Sequence, residues 1–104
     1  MQLKDSDVIV SGTDGVFDNL FTHEILTIVS EYRSIHKLLW KESQAHELSK
    51  IIVDAAKSKF NQSGQKTPYQ RKFKKTFNTI WEKGGKEDDI TVVVTFCRAV
   101  RKTQ

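Results

Sequence analysis

Two short apolar segments, one near each end of the chain, have the pattern of β-strands. Residues 7–12 carry the run Val8-Ile9-Val10 between Asp7 and Gly12, and β-branched residues favour extended backbone. In residues 90–96, ITVVVTF, every second side chain shares a face and both faces are largely apolar, which predicts a strand that is at least half buried. Because two strands alone are marginal in water, we expect them to belong to a larger sheet.

Between these segments the apolar residues recur with the period of a helix. Residues 20–34 predict an amphipathic helix, with Asn19 or Thr22 as its candidate N-cap. Its apolar stripe consists of Ile25, Ile28, Val29 and Tyr32. A second helix is expected from Ser43 to about residue 60.

A third helix is predicted over residues 67–81, TPYQRKFKKTFNTIW. Thr67 is a suitable N-cap and Pro68 suits the first helical position. The cations of residues 71–75 fall mostly outside the apolar stripe. The predicted order is therefore strand, three helices, strand, which is an α+β arrangement.

Composition limits the classes of protein to consider. The chain has 104 residues, enough for one domain, and its 29% charged and 38% hydrophobic residues favour a globular protein over a disordered one. Its formal net charge is +4, from 17 basic and 13 acidic residues. A basic balance admits nucleic acid or an acidic substrate as partner, although a run such as residues 71–75 is more often a solvated helix face.

Nothing in the sequence indicates secretion or membrane insertion. The N-terminal residues MQLKDSD contain no apolar signal-peptide region, and no apolar run approaches the roughly 20 residues that cross a bilayer. Cys97 is the single cysteine, so no disulfide framework exists. We therefore expect an intracellular protein, cytoplasmic or mitochondrial, without membrane partners.

Carboxylates flank both predicted strands. Asp14 and Asp18 follow the first strand, and Asp88 and Asp89 precede the last. If the strands pair antiparallel, all four gather at one edge of the sheet, where their mutual repulsion would be offset by a bound cation. Mg²⁺ and Mn²⁺ prefer such oxygen ligands. Asp-Gly is also an ordinary turn sequence and aspartates are ordinary caps, so spacing alone leaves a structural role open.

The stretch DVIVSGTDGVFDNL first suggests the haloacid-dehalogenase-like phosphatases. Their motif places a nucleophilic aspartate where this chain has Gly12, and glycine has no side chain to attack a phosphate. That reading is excluded. Together with GGKEDDITVVV, the stretch instead resembles the C-terminal part of the metal-dependent protein serine/threonine phosphatases of type 2C. Both blocks occur in the family's order, with helices between them.

The resemblance implies specific roles for the carboxylates. Asp14 and Asp88 match metal ligands of the family, and Asp18 matches a residue associated with a weaker third metal. Asp89 is expected to be structural, and Gly15 to support Asp14 by allowing a tight turn beside it. The cofactors implied are Mg²⁺ or Mn²⁺, two in the full family site. They activate a water that attacks phosphoserine or phosphothreonine in protein substrates.

The resemblance also implies that the whole chain, residues 1–104, is an incomplete domain. The N-terminal motifs of the family are missing: the phosphate-holding arginine and the Asp-Gly-His-Gly run. The only Asp-Gly pair in the chain is Asp14-Gly15, which is already assigned to the first block. We expect a fragment of the family's four-layer α-β-β-α sandwich, contributing an antiparallel strand pair and about three helices. Its partner would be the missing N-terminal part of the same domain, and the isolated chain is predicted to be inactive.

Two finer points follow from the wording of the motifs and from the charge pattern. GGKEDDIT, with AHEL at residues 45–48 and TPY at residues 67–69, is closest to the mitochondrial-type branch of the family. The alternatives are a non-catalytic, phosphatase-like interaction domain and a nucleic-acid-binding module that uses residues 71–75. No recognised nucleic-acid motif supports the second, and the retained Asp14 and Asp88 count against the first.

Overall fold

The structure is a computed structural model that describes residues 7–36, 41–60, 66–77 and 89–97. Six elements lie within them. In chain order they are β1 (Val8–Gly12), α1 (Asp14–Asn19), α2 (Thr22–Ile35), α3 (Glu42–Lys57), α4 (Pro68–Phe77) and β2 (Val92–Phe96). No helix in these four ranges is both long and apolar enough to cross a membrane.

The two strands pair antiparallel, as predicted. Val8 lies opposite Phe96 and Gly12 lies opposite Val92, so the end of β1 meets the beginning of β2. In the described part of the chain they form a two-stranded sheet. This register is what brings the segment after β1 close to the segment before β2.

The core lies where α3 packs against β2, α1 and α2. Leu48 and Ile52 of α3 are fully buried, and the predicted stripe of α2 contributes Ile25 and Tyr32. The cluster of buried apolar residues consists of Val16, Leu20, Ile25, Tyr32, Leu48, Ile52, Ala56 and Val94. One helix face thus covers one face of the strand pair, the usual way for an amphipathic helix to bury its stripe.

Helix α1 was not predicted from the sequence. A tight turn was expected at Gly15 beside Asp14, but residues 14–19 form a separate short helix. The predicted caps of α2 are consequently wrong, since Asn19 ends α1 and Thr22 is already helical, so the N-cap is Phe21. The Glu24 carboxylate accepts a hydrogen bond from the Phe21 N–H at 2.9 Å. This contact satisfies the N–H of the N-cap residue itself, which has no hydrogen-bond acceptor within the helix backbone.

The third predicted helix begins where the sequence indicated. The Thr67 hydroxyl accepts a hydrogen bond from the Gln70 N–H at 3.1 Å, and Pro68 is the first helical residue. The predicted extension over residues 78–81 lies outside the described residues. Thr67 is almost fully buried, so its cap is a fixed part of the fold.

Candidate functional site

Thr13 joins the end of β1 to the approach of β2. Its N–H donates to the Thr91 carbonyl at 3.1 Å, and its hydroxyl accepts from the Thr91 N–H at 3.2 Å. The same hydroxyl donates to the Asp89 carbonyl at 3.1 Å. Three hydrogen bonds thus hold the residue before Asp14 against the segment that precedes β2.

Helix α1 carries two of the predicted metal ligands on one face. Asp14 is its first residue and Asp18 follows one turn later, a spacing that places both side chains on the same side of a helix. Asp14 is exposed, whereas the Asp18 side chain is 13% exposed. A carboxylate in the first turn also suits the positive end of a helix.

Gly15 does not form the predicted turn. Because it has no side chain, α1 can approach the segment before β2 closely. It is buried within α1, and a Cβ at this position would lie 2.5 Å from the Asp89 carbonyl oxygen. That distance is well inside van der Waals contact, so any side chain would push α1 away from the segment before β2. The absence of a side chain at Gly15 is what allows α1 to pack against the Asp89 main chain.

Asn19 is a residue of this site that sequence reasoning did not identify. It is completely buried, and its Nδ2 donates to the Gly15 carbonyl at 2.7 Å. Because a buried amide without a partner is costly, this bond ties the last residue of α1 to the glycine beside Asp89. No sequence pattern indicates that Asn19 is buried. In the sequence, Asn19 is a candidate N-cap for the following helix.

The structure also places a cation beside Asp18. Lys72 of α4 lies 54 residues further along the chain, and its Nζ is 3.5 Å from Asp18 Oδ1. The Lys72 side chain is 72% exposed, so solvent screens the pair and its contribution to stability is small. The position of this pair matters more than its energy. The Lys72 ammonium group lies beside the carboxylate that the resemblance assigns to a weaker third metal.

The described residues include two of the three predicted metal ligands, Asp14 and Asp18. Asp88 lies outside the described residues. Asp89 lies within them, where it is exposed and its carbonyl accepts the hydrogen bond from the Thr13 hydroxyl. Within the described ranges, no three His, Cys, Asp or Glu side chains come together to hold a metal. Asp14 and Asp18 have the oxygen donors that Mg²⁺ and Mn²⁺ prefer, and the register of the strands brings Asp89 to the same edge of the strand pair. The donor chemistry therefore fits the implied metals, and further ligands are needed to complete a site.

Comparisons with known proteins bear on this arrangement. No family model matches the chain. The probable protein phosphatase 2C 26 of Arabidopsis thaliana is 34% identical over 103 residues, which cover 90% of this chain and 31% of the relative. The putative protein phosphatase 2C 24 of Oryza sativa subsp. japonica is 32% identical over 96 residues, covering 92% of this chain and 28% of the relative. The X-ray structure of the photosystem II phosphatase PBCP matches with a TM-score of 0.76 and 28% identity, over 96% of this chain and 39% of that chain.

The chain has the fold of part of a type 2C protein phosphatase. The predicted α+β fold class, with its antiparallel strand pair, is thereby confirmed, with four described helices in place of about three. The chain spans roughly 30% of the length of the type 2C relatives it matches. The roles assigned to Asp14, Asp18 and Asp88, and the mitochondrial-type branch, remain predictions.

Proposed function

We propose that this chain is the C-terminal portion of a metal-dependent protein serine/threonine phosphatase domain that hydrolyses phosphoserine and phosphothreonine esters. One observation carries the proposal. The register of β1 and β2, together with the hydrogen bonds of Thr13, brings the Asp-Gly-Val-Phe-Asp block beside residues 89–91 of the Asp-Asp-Ile-Thr block. The described parts of the two blocks that carry the family resemblance are thus adjacent in space, although residues 19–87 separate the blocks in sequence.

Each residue has a defined task in this proposal. Asp14 and Asp88 would hold Mg²⁺ or Mn²⁺ through their carboxylates, and Asp18 would hold a weaker third ion in competition with Lys72. When bound, the metals supply an activated water for in-line attack on the phosphate ester. Thr13 fixes the position of Asp14, and Gly15 permits the close approach to Asp89.

The remaining proposals concern what lies beyond these residues. The phosphate-holding arginine and the Asp-Gly-His-Gly run of the family have no counterpart in the sequence, so the 104 residues alone are expected to be inactive. The sequence GGKEDDIT supports the placement of this chain in the mitochondrial-type branch of the family. A cytoplasmic or mitochondrial location accords with the single cysteine.

A chimera provides the test. The segment of the Arabidopsis thaliana relative that matches this chain is replaced by residues 1–104, and Mn²⁺-dependent release of phosphate from a phosphothreonine peptide is measured. We expect activity in the chimera and none in the isolated chain. Asp14→Asn and Asp88→Asn should each reduce activity more than about a hundredfold, beyond the loss typical of residues that merely support a metal ligand. Asp54→Asn, on the exposed surface of α3, is the matched control and should have no effect.

Three results would contradict the proposal. Activity of the Asp14→Asn chimera would remove Asp14 from the metal site, and hydrolysis by the isolated chain would show that the site is complete. A folded chimera without activity would favour the non-catalytic interaction domain. If the chimera does not fold, Mn²⁺ titration of the isolated chain by calorimetry still tests the ligands, because Asp14→Asn should weaken binding and Asp54→Asn should not.

A further inference from the structure

A groove with positive walls lies between α4 and the segment that joins α1 to α2. Its volume is about 430 Å³. The residues that line this basic groove are Phe21, Lys66, Thr67, Gln70, Arg71 and Lys74. Among the described residues its lining contains three cationic side chains and no carboxylate. A concave surface of one charge attracts ligands of the opposite charge more strongly than a flat one.

Arg71 is held on the wall of the basic groove. Its Cζ lies 5.3 Å from the centroid of the Phe21 ring, which is within the range of a cation–π contact. This contact restricts the long side chain and so reduces the entropy lost when the guanidinium group binds a ligand. An arginine fixed in this way suits a planar carboxylate, which it can bind through two parallel hydrogen bonds.

The basic groove continues towards the candidate metal edge. A second cavity of about 250 Å³ shares Phe21 and Arg71 with it. This cavity is also lined by Phe17 of α1, by Leu20 just after α1 and by Lys72 of α4. Helix α1 carries Asp14 and Asp18, and Lys72 contacts Asp18. A ligand that lies in the groove would therefore extend along the helix that bears the candidate metal ligands.

We propose that the basic groove binds an acidic peptide segment of a protein partner. Charge complementarity favours an acidic ligand. The size of the groove suits a few side chains rather than a nucleic-acid strand. The Phe21 ring is contacted by Arg71 and stacks with the His23 ring, so it does not offer the open aromatic face on which a base stacks. As an extension that rests on the proposed function, this segment belongs to the phosphatase substrate and lies beside its phosphorylated residue.

Binding is tested without any catalysis, so that failure of this inference and failure of the proposed function are separable. Fluorescence polarisation is measured with the 104-residue chain and three labelled probes. The probes are a short Asp/Glu-rich peptide, the same peptide with Asn/Gln in place of the acids, and single-stranded poly(A) RNA. Each is titrated at about 50 mM and about 200 mM salt, because ion pairs at an exposed surface weaken with screening.

The variants isolate the groove from overall charge. The groove variant carries Lys66→Gln, Arg71→Gln and Lys74→Gln. The control variant carries Arg33→Gln, Lys50→Gln and Lys57→Gln, which removes the same three charges from exposed positions on α2 and α3. If loss of the Arg71–Phe21 contact impairs folding, as judged by circular dichroism, the double variant Lys66→Gln/Lys74→Gln replaces the first.

We expect the acidic peptide to bind more tightly than its neutral counterpart and more weakly at the higher salt concentration. The groove variant should lose about tenfold in affinity, the sum of three modest ion pairs, and the control variant less than about twofold. The double variant should lose about fivefold. Equal affinity for the acidic and neutral peptides, or equal losses in the groove and control variants, would overturn the inference. Tighter binding of poly(A) RNA than of the acidic peptide would also overturn it, in favour of a nucleic-acid surface.

Discussion

Replacement of Gly15 by alanine tests the closest contact at the candidate site. The added Cβ would lie 2.5 Å from the Asp89 carbonyl oxygen and 3.0 Å from Ile90 Cγ1. A carbonyl oxygen of the main chain cannot rotate away as the end of a side chain can. The substitution therefore requires α1 and the segment before β2 to move apart.

Two opposing effects determine the size of the change. Alanine in a helix is favoured over glycine by about 0.5–1 kcal/mol, which alone would stabilise α1. Overpacking of a closely packed contact costs about 1–3 kcal/mol. Because the obstacle at Gly15 is backbone, we expect the cost to lie in the upper part of that range. Gly15→Ala should then lower the free energy of unfolding by about 1–2 kcal/mol.

Urea unfolding followed by circular dichroism measures this effect. For a chain of this size the midpoint should fall by about 1 M. Gly12→Ala provides a graded comparison, because its Cβ would lie 2.9 Å from the Val16 Cγ2 methyl group and 3.2 Å from the Thr91 carbonyl oxygen, a milder clash with the main chain than at Gly15. Ser30→Ala, at an exposed position of α2, controls for the helix preference of alanine and should be neutral or slightly stabilising.

The same variant has a second expected effect. Separation of α1 from the Asp89 segment would move Asp14 away from that segment, so Mn²⁺ affinity should fall together with stability. Ile90→Ala should not restore either property, since the closest contact is with the Asp89 carbonyl. A Gly15→Ala protein as stable as the wild type would refute the packing argument, and rescue by Ile90→Ala would assign the obstacle to the Ile90 side chain instead.

Three further predictions concern the contacts around the site. Asn19→Ala removes the buried hydrogen bond to the Gly15 carbonyl and should cost about 1–3 kcal/mol in urea unfolding. Thr67→Ala should cost about 1 kcal/mol through loss of a helix cap, and Thr67→Ser should restore most of it. Burial raises the pKa of Glu24, but hydrogen bonds from the Phe21 N–H and Lys59 outweigh it, so the pKa is lowered from 4.5. A lowered pKa in the folded state gives stability that is present above about pH 4.5 and lost as the pH falls below it, so Glu24→Gln should flatten the acid side of a stability–pH profile.

The strands and their pairing could be predicted because their signals are local. The alternation in residues 90–96 defines faces, and once two strands pair antiparallel the end of β1 must meet the beginning of β2. Helix α1 could not be predicted in the same way. Its six residues are too few to display a helical period, and it begins with Asp-Gly, which is typical of a turn. Helix α1 packs against α3 and α4. These tertiary contacts, and not the local preference of its residues, account for its helical form.

The candidate site was predictable only in part, for a related reason. Asp14 and Asp18 were identified because a family motif contains them. The contact between Asp18 and Lys72 joins residues 54 positions apart, and no local pattern indicates such a pair. The burial of Asn19 likewise depends on what packs around α1. Sequence reasoning thus identified the groups with evident chemistry, and the structure identified the groups that position them.

Helix α1 separates two surfaces of opposite charge. Asp14 and Asp18 lie on one face, Gly15 on the buried side approaches the Asp89 carbonyl, and Phe17 lines the second cavity, which adjoins the basic groove. A peptide whose acidic residues occupied the groove would run along α1 towards Asp14, while repulsion from Asp14 and Asp18 would disfavour its continuing there without a bound cation. A divalent cation at that edge would offset the two negative charges and so remove most of this repulsion. Binding of an acidic phosphopeptide and binding of metal are therefore expected to be mutually reinforcing in a complete domain, because each offsets the charge that opposes the other.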